Sequence, residues 1–315
     1  MIREKRIKSG RLLEADFYPV FSNGSKMPTR AKKEKPSTEE QSAYNRRQAG
    51  KKLIRLVNLN FDSDDYFFHV TYDKAHAPDD ICKAKKDINN YLRKVKRRRA
   101  KELKLAEEKV KSLREKLKKC PDEDLEELLK AQLKKRRKLR QPLKYIYVVE
   151  KKRAWHFHLF ISGGLDAETL KSLWGYGIRL RADHYSPDMF GPESAAAYLA
   201  KAPEGTRSFV CSINLKKPQP KYKDGGITRG GVAQMAQLRP DDSAYWERRY
   251  RGYRFVRSYP RYNRYNGHWY MSVVMYKTEQ KYLPEWKLDA DDWLIEDFGG
   301  DFDYEKGGKR NLFKK

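Results

Sequence analysis

Two histidines one residue apart, His156 and His158, lie in the run Trp155-His156-Phe157-His158-Leu159-Phe160-Ile161. Alternate residues of a strand share a face. The run therefore predicts two imidazoles side by side, with Trp155, Phe157, Leu159 and Ile161 on the other face for a core. A second apolar run, residues 145–150, ends on the carboxylate of Glu150. The polar residues 151–153 join the two as a hairpin, which can set Glu150 beside the histidines. Imidazole nitrogens suit Mn, Zn and related ions, and a carboxylate partner shifts the preference towards Mg or Mn. Two histidines and a carboxylate also leave coordination positions open, as a catalytic metal requires.

A second pair has the chemistry of a nucleophile. Tyr198 and Lys201 fall three apart in Ser194-Ala195-Ala196-Ala197-Tyr198-Leu199-Ala200-Lys201, a run of helix formers that places both on one helical face. A tyrosine hydroxyl can form a covalent intermediate. Near neutral pH it needs a cation or metal nearby to stabilise the phenolate or the charge on a phosphate. Tyr91 and Lys94 repeat the same spacing, so the pattern alone says little. Tyr198 differs in following the histidine pair and in its small alanine neighbours, which let a helix lie close to a sheet.

The elements that must hold these residues follow from periodicity. Residues 66–72 (Tyr-Phe-Phe-His-Val-Thr-Tyr) read as a buried strand, and residues 42–58 as a basic helix. Leu103, Ala106, Val110, Leu113 and Leu117 form a heptad seam that Pro121 interrupts. Asp122, Glu123 and Asp124 open a second helix, whose apolar face continues through Leu125, Leu128, Leu129 and Leu133. A short helix is expected at 167–174, and strands at 178–181, 208–213, 253–257 and 269–276. The fold class is α+β: a central antiparallel sheet with flanking helices and an inserted long helical hairpin. The expected organisation is a basic flexible arm at 1–41 that allows an isolated strand at 12–21, a single domain at 42–280 interrupted by the hairpin at 81–141, and an acidic, then Gly/Lys-rich tail at 281–315.

Composition narrows the partners. The 315 residues carry 70 Lys+Arg against 43 Asp+Glu, a formal charge of +27. Aromatics at 13% argue against wholesale disorder, and no apolar run approaches the roughly 18 residues of a spanning helix. Residues 1–9 are charged, so no secretory leader is expected. Cys82, Cys120 and Cys211 are far apart and form no Cys-x-x-Cys pair, which disfavours disulfides and structural zinc and suits a reducing compartment. A strongly basic soluble chain points to a polyanion, by default nucleic acid. Residues 83–140 alone hold 24 basic and 10 acidic residues. They read either as a solvated coiled-coil arm that packs or dimerises, or as an arm that grips DNA.

In combination the motifs are more specific. A strand ending Thr71-Tyr72, then Glu150, then His-hydrophobic-His, then Tyr-x-x-Lys resembles the HUH endonucleases. It is most similar to the single-tyrosine rolling-circle replication initiators of bacterial plasmids, integrative elements and phages. The likeness runs over residues 44–276 apart from the helical arm. It includes Asn60-Phe61, Ser212-Ile213-Asn214-Leu215-Lys216-Lys217-Pro218 and Tyr262-Asn263 with Asn266-Gly267. His69 departs from it, standing where that family more often has a small or hydroxyl residue.

The resemblance implies an antiparallel sheet that carries Glu150, His156 and His158 as ligands of a divalent ion, Mn2+ or Mg2+. It makes Tyr198 the nucleophile of a site-specific single-strand nick and of the reverse rejoining, through a 5′-phosphotyrosine, with Lys201 positioning the tyrosine or neutralising charge. The implied partners are single-stranded or hairpin origin DNA in the cytoplasm of a bacterial host, together with a host helicase and polymerase. No Gly-x-x-x-x-Gly-Lys-Ser/Thr run supports a fused helicase, and no membrane is involved. A mobilisation relaxase or single-strand transposase would use the same chemistry. A non-catalytic basic DNA-binding protein would account for the charge and for the Arg/Tyr-rich segment 245–254 without any chemistry.

Overall fold

Both strands of the expected histidine hairpin are present in the computed structural model, which describes residues 1–21, 39–151, 154–177, 180–185 and 209–277. Along the chain, β1 (Ile2–Ser9) and β2 (Leu12–Pro19) precede the helix α1 (Glu39–Asn60). Next come β3 (Tyr66–Thr71), the long α2 (Ile81–Lys119) and α3 (Glu123–Arg140). They are followed by β4 (Tyr145–Lys151), β5 (Trp155–Ile161), α4 (Ala167–Ser172), β6 (Leu180–His184) and β7 (Val210–Cys211). The last described elements are β8 (Pro220–Asp224), α5 (Arg229–Leu238), α6 (Ser243–Arg249), β9 (Arg254–Asn263) and β10 (His268–Tyr276). The strands form two antiparallel five-stranded sheets, one in each of two compact units. The mixture of antiparallel sheets and helices agrees with an α+β class.

The first unit, Met1–Thr38 with Gln219–Lys315, corrects the expected organisation. Residues 1–41 were expected to be a flexible basic arm with at most an isolated strand at 12–21, yet β1 and β2 form a hairpin inside a sheet of order β8-β1-β2-β10-β9. The single domain expected at 42–280 likewise ends at Pro218, because β8, β9 and β10 complete this other sheet. Tail residues 281–315 lie outside the described residues. Gly10, at φ 60°, supplies the left-handed residue that the tight β1–β2 turn requires. Apolar Ile2, Leu13, Ala15 and Phe17 pack with Met271 and Val273 and with Val232, Met235 and Trp246 of α5 and α6.

The charges that suggested a solvated arm are paired within this sheet. Arg3 makes a bidentate pair with Asp224. Glu4, only 4% exposed, accepts from Arg6 and from the Tyr250 hydroxyl. Burial pushes the Glu4 carboxyl upward, but the hydrogen bonds from Arg6 and Tyr250 and the neighbouring Arg249 outweigh it and hold it below its usual 4.5. A carboxylate lowered on folding stabilises the native state above its unfolded pKa, and that contribution fades as the pH falls through the lowered value. Glu4→Gln should therefore cost about 2 kcal/mol at neutral pH. The difference from wild type should shrink as the pH drops below 4.5, as read by urea unfolding across the acid range.

The second unit, Glu39–Pro218, holds the histidines in a sheet of order β6-β3-β5-β4-β7 with β5 in the middle. Trp155, Phe157, Leu159 and Ile161 turn to one face, where they join Phe68, Val70, Tyr147 and Val149. The first half of α2 covers that face through Ala84, Ile88, Tyr91, Leu92 and Val95. Asp80 caps α2 by accepting from the Lys83 amide, and Asp122 and Asp166 do the same for α3 and α4.

The helical hairpin expected at 81–141 is therefore only partly an insertion. Residues 84–95 are sheet cover, and the heptad seam beyond them buries Ala106 and Val110. Glu102 and Glu107 of α2 pair with Lys135 and Arg140 of α3. Leu128, expected on the apolar face, is exposed.

Where α2, α3 and the end of β5 meet, Arg99 is 5% exposed and, among the described residues, makes no salt bridge, with Asp65 the nearby carboxylate. Its guanidinium donates instead to the carbonyls of Ser162, Gly163, Lys138 and Gln141. Gly163 itself is required there: a Cβ would lie 2.2 Å from the Asp64 carbonyl oxygen, and its amide donates to Asp65 at 2.7 Å.

Candidate metal centre

Register brings the three predicted ligands together. Antiparallel β4 and β5 pair Glu150 directly with His156, and cross-strand partners share a face. His158, two residues further along β5, shares it too. The Glu150 Oε2 atom lies 3.2 Å from His156 Nε2 and 3.5 Å from His158 Nε2. One ligand atom from each of the three residues falls within 4.8 Å of the others. Glu150 and His158 are 4% and 3% exposed, while His156 is half-buried and gives solvent a way in. The face is the one opposite α2.

The electrostatics suit a cation. Burial alone would raise the Glu150 carboxyl, but hydrogen bonds from His156 and His158, with their charges, hold it down at about 2. The oxygen is therefore an anion throughout the neutral range. Both ring nitrogens of His156 face acceptors: Nδ1 lies 3.2 Å from the Ala154 carbonyl oxygen and Nε2 lies 3.2 Å from Glu150. Donation of Nδ1–H to Ala154 would leave Nε2, which faces Glu150, as the ligand atom for an ion. Two imidazole nitrogens and one ionised carboxylate oxygen form a donor set that fits a divalent cation. Glu150, His156 and His158 form a group that can hold a metal ion.

His69 is the neighbour whose role the sequence leaves open. It pairs with His158 across β3 and β5 and with Arg181 across β3 and β6. Its ring stands edge-on to that of His158 at 4.5 Å between centroids, with Phe67 against both rings. Burial, with His158 and Arg181 close by, pulls His69 down to about 4, so it is neutral at physiological pH. It lies outside the converging group of three, and packs against one of its members. A single sequence carries no signal for such a neighbour, because the β3 register is invisible without the sheet.

Tyr198 and Lys201 lie outside the described residues, so the group brought together is Glu150, His156 and His158. Arg99 has a structural role that sequence reasoning missed, as does Asp65, whose carboxyl is raised by burial despite accepting from the amides of Gly163 and Asp62. Cys82, Cys120 and Cys211 are free thiols. Among the described residues, no helix is long and apolar enough to cross a membrane. Comparison of the chain with family models, curated proteins and solved structures returned no match.

Proposed function

We propose that this protein is a metal-dependent DNA strand transferase of the HUH type. It would nick and rejoin one strand at an origin to start rolling-circle replication. The observation that supports this reading best is the convergence of Glu150, His156 and His158 on one sheet face, with the carboxylate held ionised between two imidazoles. The strong positive charge of the chain adds to it. Glu150 Oε2 and the Nε2 atoms of His156 and His158 would hold the ion, Mn2+ or Mg2+. When bound, the ion supplies Lewis-acid polarisation of a phosphodiester oxygen.

The rest of the chemistry belongs to the chain. The Tyr198 hydroxyl attacks phosphorus as its proton is lost. A phosphotyrosyl bond forms at the 5′ side, the bond from phosphorus to the 3′ oxygen breaks, and that oxygen leaves as a 3′-hydroxyl after taking up a proton. Lys201 offsets negative charge on the phenolate or the phosphate. Rejoining is the reverse attack by the 3′-hydroxyl, and it conserves bond energy without nucleotide hydrolysis.

The test is a denaturing gel after incubation with single-stranded origin DNA and Mn2+. Wild type should give a covalent protein–DNA adduct and Tyr198→Phe none. An adduct with Tyr198→Phe would remove the assigned nucleophile. Absence of any wild-type adduct on DNA that the protein binds would favour a non-catalytic DNA-binding role.

A further inference from the structure

The charge on α2 is unevenly compensated. Between residues 83 and 101 there are ten Lys or Arg and a single acid, Asp87. Asp87 is buried and accepts from the Tyr72 hydroxyl, so it neutralises nothing at the surface. Beyond Glu102 the pattern changes, because Glu102, Glu107 and Glu126 pair with cations of the hairpin. In the uncompensated half, Lys83 pairs with Asp79, Arg98 with Glu102, and Lys94 sits over the Tyr176 ring.

Lys86, Arg93, Arg97 and Lys104 are exposed, and among the described residues they make no ion pair. Steps of seven, four and seven residues keep them within a narrow stripe of one helix face. The stripe runs about 27 Å at 1.5 Å per residue. It points away from the sheet, since Ala84, Ile88, Tyr91 and Val95 occupy the inward side. It is therefore on the opposite side of the sheet from Glu150, His156 and His158.

We infer that this outer stripe of α2 is a docking track for the phosphate backbone of duplex DNA, separate from the metal group. A straight row of cations matches a stiff, regularly charged rod. A single strand would be gripped by stacking on aromatic rings, and the aromatic residue of this half-helix, Tyr91, is fully buried. A lipid surface would need an apolar face beside the cations, whereas the positions flanking the stripe include Lys83, Asn89, Asn90, Ala100 and Lys101 and no large apolar residue. Phosphate contacts carry no base readout, so the track holds duplex of any sequence. The inference goes beyond the nicking reaction and stands without it.

The test uses the full chain carrying Lys86→Gln, Arg93→Gln, Arg97→Gln and Lys104→Gln together. Glutamine is a good helix former, so the exposed helix is kept, and circular dichroism checks this. Duplex affinity is measured by fluorescence anisotropy from about 50 to 200 mM salt. The salt slope for duplex should fall by about 3.6, from roughly 0.9 for each lost phosphate contact. Affinity for single-stranded DNA and for Mn2+ should be unchanged. An unaltered duplex slope would overturn the inference, as would an equal loss on single strands, or a loss on phosphatidylserine vesicles with duplex binding intact. Failure of wild type to bind Mn2+ while the duplex slope responds as expected would sink the nickase reading alone.

Discussion

Glu150→Gln should weaken Mn2+ binding by more than the roughly 10–100-fold that follows loss of a supporting partner around a metal. Glutamine keeps the shape of the side chain but removes the anion that His156 and His158 both face. The carboxylate is ionised at every pH where the protein would work, since it is held at about 2. The wild-type site thus presents a formal negative charge between two imidazoles, and the variant presents none. His158→Ala should have a comparable effect, because it removes one of the three converging ligand atoms. Isothermal titration with Mn2+, or the loss of the free-ion electron paramagnetic resonance signal on binding, measures this without any DNA. Unchanged affinity in both variants would mean that the ion, if bound, is held elsewhere.

Arg99→Met should lower unfolding stability by about 3–5 kcal/mol, because it strands several buried carbonyl groups at once. From α2, the guanidinium ties together two other pieces of chain: Ser162 and Gly163 just after β5, and Lys138 and Gln141 at the end of α3. Arg99→Lys should recover little of this, since an ammonium has three donors on a point and lacks the planar fork. Urea unfolding gives the magnitude, and hydrogen exchange at residues 162–164 localises it. A change within about 0.5 kcal/mol, the usual range for surface positions, would show that the carbonyls find water instead. The same contact limits how the hairpin can be trimmed. A deletion that begins at Arg99 removes the clamp along with the arm, so a cut has to start further out.

The two variants mark the boundary of what the sequence discloses. Glu150, His156 and His158 were readable because strand alternation and a short hairpin are local rules, and the register that completes the group involves neighbours only six and eight residues apart. Arg99 was not readable. It stands in the run Arg97-Arg98-Arg99, and nothing in composition separates the buried one from its two exposed neighbours. The strand β1, and the sheet that β2 joins, were missed for a related reason. Their charged residues look like those of a solvated segment until Asp224 and Tyr250, more than 200 positions away, supply partners. His69 was visible as a residue, but its contact with His158 depends on which strand lies beside β5. The long helices were legible from their heptads. That α2 begins as sheet cover was not, since the same apolar spacing serves a sheet and a partner helix equally well.

The interleaving of the two units also bears on how the chain is made. β1 and β2 are synthesised well before the rest of their sheet, because their neighbours β8 and β10 belong to residues after Gln219. At the usual pace of a ribosome, the hairpin waits on the order of 10–40 s for them. The whole of Glu39–Pro218 emerges in that interval and can settle as a unit of its own. During the wait both edges of the hairpin are unpaired, a standing invitation to join another nascent chain. Arg3, Lys5, Arg6 and Lys8 along β1 guard one edge by mutual repulsion between copies. The charges that disguise this segment as an arm thus also keep it solitary until its sheet arrives.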